Sequence, residues 1–403
     1  MTNILKIEMV STGDEVLYGQ ITDTNASWLS DFLFQHGFTI TSRFTVGDNL
    51  NQLIDTLIKR SKENDILIIN GGLGPTSDDL SALAAAKANN EELILRQEWL
   101  IILAQFFANK GREMPPANVK QAMLPKSASI IDNPVGTACG FKMLINNCVL
   151  FFTPGVPSEF KVMIENQILP DIKKMQPNII KPLCYRLTTM GRTESDLASE
   201  IEAKLLVPAS IDVGYRSAVP IIELKLTGKI SEQPLMDKLW QQLKQLVSDN
   251  LLYEGTQGLA TVVSQLLQDK SQKLIVLEEQ TAGLIAYQLY DQGAPLVKSE
   301  VSYNIAHRLN DLMTQFPQAL ILFLGQFNQD NSQFTLKLVT PKQTYCYQLN
   351  YKSRRYDRQT EQQVFSAIAL DALRRYLTNQ PLVGPNVWLD VIDSAQHCSY
   401  NLR

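Results

Sequence analysis

The stretch DILIINGGLGPTSDD, residues 65–79, decides the class of fold. Its first six residues are too continuously apolar for a sheet edge and read as a buried strand. The run then breaks into glycines, hydroxyls and two acids, and a helix follows over residues 82–88. Strand, glycine-rich turn and helix make the repeating unit of an open α/β fold.

The same alternation extends on both sides. Residues 4–10 read as a buried strand, and Asp23 or Thr24 caps a helix whose stripe is Trp28, Leu29, Phe32 and Leu33, ended by Gly37. A second strand covers residues 38–46. Leu50, Leu53, Ile54, Leu57 and Ile58 recur at helical spacing. A helix is predicted over 97–110, strands over 140–145 and 148–152, and a last helix from Pro157 with Phe160, Met163, Ile164 and Ile168 inward. The expectation is a mainly parallel sheet with helices on both faces. From about Leu183 the texture changes to a small α+β module, and from about Gly258 to a further α/β region. The predicted division is 1–175, 176–256 and 257–403.

Composition narrows the function classes. The 403 residues carry a formal charge of −4 with 19% charged residues and no long basic run, so nucleic acid is not an expected partner. The five cysteines, Cys139, Cys148, Cys184, Cys346 and Cys398, form no CxxC pair, which fits free thiols in a reducing cytosol. The start MTNILKIEMV lacks the basic and apolar regions of a signal peptide. No stretch approaches the ~18 apolar residues of a membrane span. A soluble cytoplasmic protein is expected.

Three polar loops each follow an apolar strand: residues 11–25 (STGDEVLYGQITDTN), 71–79 (GGLGPTSDD) and 153–159 (TPGVPSE). Loops at the carboxyl ends of parallel strands share one crevice, where ligands bind. Gly71, Gly72 and Gly74 allow close backbone approach and aim N–H groups at phosphate oxygens. Thr76, Ser77, Thr12 and Gly13 extend that set. Asp78 and Asp79 either cap the next helix or hold a divalent cation through water. Asp14, in a loop with no obvious helix to cap, favours the cation. Glu15 reads as solvated, and Asp23 as a cap with a secondary ligand role beside Asn25. Asn133, Gly136 and Thr137 in NPVGTA offer a grip on a diphosphate or ring, or an ordinary turn. Pro154, Gly155 and Ser158 put a helix start beside the crevice. GGLGPT is not a Walker A loop, because no Lys follows the second glycine group.

In this order, STGDE, DTN, GGLGPTSDD, NPVGTA and TPGVPSE resemble the CinA family, whose first domain is similar to the molybdopterin-binding fold. The resemblance implies a metal-dependent pyrophosphatase splitting ADP-ribose into AMP and ribose 5-phosphate, a KH-like middle domain and a C-terminal nicotinamide-mononucleotide (NMN) amidohydrolase domain. It places a nucleotide in the crevice. The residues themselves suit that chemistry: Asp14, Asp78 and Asp79 are the candidate catalytic acids, and Mg²⁺, Mn²⁺ or Co²⁺ would be held by Asp14 and one of Asp78 or Asp79, with Asp78 preferred. A homo-oligomer, a dimer, is expected. The middle region lacks a GXXG loop, and its notable cations, Arg192 and Arg216, lie among acids, so RNA binding is not expected.

The C-terminal region departs from the family. The amidohydrolase motif AESCTGG is LEEQTAGLIA here, with Glu279 in place of the serine nucleophile, Gln280 in place of the cysteine and Ala282 in place of a glycine. His307 stands where the family has lysine, and the glycine-rich stretch reads LGQFNQDN over 324–331. A retired domain is expected, with Thr281, Gly283 and the Arg354, Arg355 and Arg358 group as relics. A Glu279–His307 dyad is the weaker alternative. For the whole chain, the competing readings are a molybdopterin-binding protein of cofactor metabolism and a non-catalytic scaffold.

Overall fold

The computed structural model describes residues 5–330, 332–352 and 356–395. Arg354, Arg355, Asn331 and Cys398, singled out above, lie outside them. The chain forms two compact units, Met1–Pro182 and Leu183–Arg403.

The first unit is built on a six-stranded sheet in the order Ile40–Val46, Ile7–Thr12, Ile66–Asn70, Cys148–Thr153, Gly140–Ile145, Ser129–Ile131. The first four strands are parallel and the last two antiparallel. All five residues of Ile66–Asn70 are buried, as its apolar run requires. One helical layer packs Leu53, Leu57, Ala84, Ala85 and Trp99 against the sheet, and the opposite layer packs Leu29, Leu33, Phe160, Met163 and Ile164. The expected α/β architecture is present.

Register positions the loops. Ser11 lies opposite Asn70, and Asn70 lies opposite Thr153, so three strands end at one level. Here the structure corrects the sequence reading. The first strand continues through Ser11 and Thr12, whose buried hydroxyls find partners: Ser11 donates to Asp23 Oδ2 at 2.5 Å, and Thr12 to the Asn70 carbonyl at 3.4 Å. A four-residue helix, Asp14–Leu17, follows at once, so Asp14 opens a helical turn rather than lying in an open loop. The 3₁₀ turn Pro116–Ala122 and the short pair Leu93–Leu95 and Met123–Pro125 went unread.

The fully buried Glu8 belongs to strand Ile7–Thr12 of this sheet. Burial pushes its carboxyl up, but hydrogen bonds from Arg60, Ser42 and Asn64 outweigh it and hold the group below its ordinary range.

The second unit contains two sheets. One is four-stranded, in the order Asp212–Ala218, Ile221–Lys229, Pro182–Met190, Leu251–Glu254, with helices Glu194–Lys204 and Gln233–Leu246. The other is six-stranded, in the order Leu296–Val301, Leu274–Glu278, Leu320–Leu324, Gln333–Val339, Thr344–Tyr351, Leu389–Ala395. Its first three strands are parallel and the rest antiparallel. Helices Leu259–Asp269, Leu284–Asp291 and Arg358–Leu377 supply apolar residues to its core. Arg192 is paired with Asp196 at 2.6 Å and Glu200 at 2.5 Å, and Arg216 lies 3.5 Å from Glu223, so neither cation is free.

Candidate active site

Where the strands of the first unit end together, a cavity of about 490 Å³ opens. That is in the size range of small-ligand sites. Of the residues singled out from sequence, Thr12, Gly13, Asp23, Asn25, Gly71, Gly72, Gly74, Asp78, Asp79, Thr137, Pro154 and Gly155 line it. Residues from all three loops and from NPVGTA therefore converge.

An amide network ties the floor. Asn25 Nδ2 donates to Asn70 Oδ1 at 3.0 Å and to the Gly155 carbonyl at 2.8 Å. Asn70 Nδ2 donates to the Pro154 carbonyl at 2.7 Å. Both asparagines are buried, so their bonds fix which way each amide points. Asp23 accepts from the Ala26 N–H and is the N-cap of helix Thr24–Gln35, while still lining the cavity.

The glycine loop is shaped by backbone that only glycine adopts readily. Gly71 has φ +111° and Gly72 φ +68°. A Cβ at Gly71 would stand 2.6 Å from Thr12 Oγ1. Ser81 locks the loop from behind: its hydroxyl donates to the Gly71 carbonyl at 2.8 Å and its N–H to the Gly72 carbonyl at 3.1 Å.

Six residues named from sequence do not line the cavity: Asp14, Thr76, Ser77, Asn133, Gly136 and Ser158. For three of them the cause is visible. Thr76 turns its N–H and hydroxyl onto Asp79 Oδ2, at 2.8 and 2.5 Å. Asp79 thus closes its own turn, and neither Asp78 nor Asp79 caps helix Ser81–Ala88, whose N-cap is Leu80. Asn133 is buried and spends its amide on the Ala138 carbonyl and on Glu159 Oε2, at 2.8 and 2.7 Å. Glu159 does line the cavity, so Asn133 acts behind it. Asp14 exchanges two bonds with Asp48: its N–H donates to Asp48 Oδ2 at 3.1 Å, and its Oδ1 accepts from the Asp48 N–H at 3.2 Å.

Asp48 is the acid that the sequence reading missed. It lines the cavity together with Glu15, which was read as solvated. Burial, and then the charges of Asp14, Glu15 and Asp78, raise its carboxyl above the ordinary 3.8, against the Asp14 N–H that lowers it. Asp78 is shifted the other way, by the Thr76 hydroxyl first, with the Lys120 charge contributing. The signal for Asp48 was available. VGDN at 46–49 puts an acid two residues past the end of the second strand, as STGDE does past the first. Among the described residues no group of three or more His, Cys, Asp or Glu is arranged to hold a metal by itself.

The second unit treats its strand-end acids differently. Glu278 is buried and accepts from the Thr281 hydroxyl at 2.6 Å and from the Ile285 and Ala286 N–H groups at 3.0 and 2.8 Å. Glu279 accepts from the Ile305 N–H at 2.7 Å and the Gln326 N–H at 2.9 Å, and Gln280 from the Phe327 N–H at 3.2 Å. His307 is exposed and turns Nδ1 onto the Asn304 carbonyl at 2.9 Å. No hydrogen bond joins Glu279 to His307, so the dyad is not formed.

Residues 8–174 match the family model described as "Probable molybdopterin binding domain". Over 398 residues the chain is 47% identical to the CinA-like protein of Shigella flexneri, covering 97% of this chain and 99% of that one. The chain belongs to the CinA family. Another member of the family, from Escherichia coli K12, is named NMN amidohydrolase-like protein YfaY and is 46% identical over the same length. Among solved structures, a CinA protein of unknown function from Thermoplasma acidophilum is 29% identical over 42% of this chain and 99% of its own, with a TM-score of 0.39. No helix among the described residues is long and apolar enough to cross a membrane.

Proposed function

We propose that the first unit hydrolyses the diphosphate of a nucleoside diphosphate sugar, taking ADP-ribose and water to AMP and ribose 5-phosphate. One observation carries the reading: a glycine loop and the acids Glu15, Asp48 and Asp78 share one cavity on a locked amide floor. Loop N–H groups suit phosphate oxygens. The acids suit a cation that the phosphates also bind.

The donor set fits a hydrated divalent ion. Mg²⁺ commonly keeps several waters and takes one or two carboxylates plus substrate phosphates. Asp48 and Asp78 are the residues that would hold it, with Asp14 positioning Asp48 from behind. When bound, the ion neutralises charge on the phosphates and acidifies water. Glu15, which lines the same cavity and is not needed to hold the ion, would accept the proton of the attacking water. The water oxygen joins one phosphorus, the bridging P–O bond breaks, and the bridging oxygen leaves on the other phosphate.

The second unit, on this reading, does not deamidate NMN. That reaction in this family needs an activated hydroxyl, and Glu279 offers a carboxylate already held by two backbone donors. The family model's molybdopterin description favours a second reading, in which the same cavity holds a pterin phosphate. Purified protein with ADP-ribose and Mg²⁺, Mn²⁺ or Co²⁺, followed by chromatography for AMP, separates the two. Metal-dependent AMP supports the first. No AMP with any of the three metals removes it.

A further inference from the structure

The cavity of the first unit is short of positive charge. Glu15, Asp23, Asp48, Asp78, Asp79 and Glu159 line it, and among the described residues no Lys, Arg or His does. A diphosphate brings more charge of the same sign, and neighbouring like charges disfavour one another. One divalent ion offsets only part of the total. The N–H groups of the glycine loop are neutral dipoles and leave the rest standing. A fixed cation at the edge of the cavity would offset it.

Lys120 is carried to that edge by the 3₁₀ turn Pro116–Ala122. The next residue, Gln121, lines the cavity and donates Nε2 to the Leu73 carbonyl at 3.4 Å. Lys120 is half-buried, and its Nζ donates to the Thr76 carbonyl. Asp79 holds both the N–H and the hydroxyl of Thr76, so this seat is fixed. Pro75 before it, and Asp78 and Asp79 after it, line the cavity. The Thr76 hydroxyl first, and the Lys120 charge with it, hold Asp78 below its ordinary range.

We propose that Lys120 is the phosphate-binding cation of this cavity, its ammonium donating to a phosphate oxygen of the bound diphosphate while seated on the Thr76 carbonyl. The inference rests on the reading of the cavity as a diphosphate site. An ammonium has three donors, and one is used on Thr76. Among the described residues no carboxylate pairs with it. Other bases of the unit are committed: Arg60 to Glu8 and Glu63, and Lys142 and Lys174 to Asp171. Lysine binds phosphate as a point charge, on a flexible stem that follows the oxygen.

The test uses the full chain and α,β-methylene ADP-ribose, whose P–C–P bridge water does not break, so binding is read apart from hydrolysis. Titrated in Mg²⁺ by calorimetry, Lys120→Gln is expected to raise the dissociation constant about tenfold. Lys120→Arg keeps the charge and is expected to stay within about threefold of wild type. Added salt is expected to weaken the wild type more steeply than Lys120→Gln, a difference that a merely distorted loop does not produce. A second measurement needs no variant. Reductive methylation of the wild type, read by peptide mass spectrometry, is expected to modify Lys120 more slowly when the analogue is bound. Weakened binding in Lys120→Gln, in a protein that forms no AMP from ADP-ribose, supports the assignment and removes the hydrolysis. Lys120→Gln with wild-type affinity and salt dependence, or a Lys120 equally reactive with the analogue bound, overturns the assignment and leaves the hydrolysis standing. A wild type with no affinity for the analogue overturns both.

Discussion

Each unit of this protein carries carboxylates at the ends of parallel strands, and the two sets meet opposite fates. In the first, Asp48 faces a cavity with Glu15 and Asp78, its carboxyl pushed up by burial and by the charges around it. In the second, Glu278 and Glu279 accept five hydrogen bonds between them from neighbouring backbone and from Thr281. The strand-end position is the same. What differs is whether the lone pairs are already used. A carboxylate saturated by backbone donors is an anchor, while one surrounded by like charge lacks a counter-charge, which a cation can supply.

The sharpest break of this comparison is by substitution in the first unit. Asp48→Ala and Asp78→Ala are each expected to lower metal-dependent AMP formation about 10³-fold or more, with an unchanged circular-dichroism spectrum. Near-wild-type rates in a folded variant would remove that residue from the chemistry. Asp14→Ala, which acts through Asp48, is expected to cost less.

In the second unit, ammonia release from NMN is expected to fall at least about 10³-fold below an active family member at equal concentration. Glu279→Ser alone is expected to recover little, since members of a catalytic group act together. Turnover within about tenfold of the control would place an active centre where we place an anchor.

The anchor has its own readout. Glu279→Ala strips the Ile305 and Gln326 N–H groups of their acceptor, at a cost of about 1–3 kcal/mol. A denaturant midpoint unchanged from wild type would show that water serves these donors equally well.

The fold was legible because its signals are local: the run DILIIN, the helical spacing from Leu50 to Ile58, the glycines after Asn70. The strand end at Thr12 was misjudged because its hydroxyls are satisfied by Asp23 and Asn70, 12 and 58 residues from their partners. The site was half legible. Glycines and acids announced the loops, but which acid turns inward depends on pairings such as Asp14 with Asp48, 34 residues apart. Thr76 and Ser77 read as ligand donors in a list. In the folded turn, Thr76 belongs to Asp79. The state of Glu279 was hidden for the same reason, its donors lying 26 and 47 residues away.

A smaller effect tests the electrostatics. Without added metal, burial and then the charges of Asp14, Glu15 and Asp78 hold the Asp48 carboxyl above the ordinary 3.8, so its titration followed by NMR is expected above that value. Glu15→Gln and Asp78→Asn each remove one of those charges and are expected to lower it. A titration that does not move would show that these charges do not reach Asp48. The smallest effect has the opposite sign to the others. Ala282 stands at φ +52°, where an alanine is strained by about 1–2 kcal/mol. Ala282→Gly relieves this, offset by added freedom in the unfolded chain, and is expected to raise Tm by roughly 1–3 °C.

The amide floor of the first unit has a consequence for how such a protein changes over generations. Asn25 at a helix start, Asn70 at a strand end and Pro154 with Gly155 in a loop belong to three separate segments, yet each bond crosses from one segment to another. A residue inserted or deleted beside any one of them shifts its partner out of reach and strands a buried amide. The three segments are therefore inherited as a block. Drift is confined to the outer turns, and a graft of this cavity onto another sheet succeeds only when all three segments travel together.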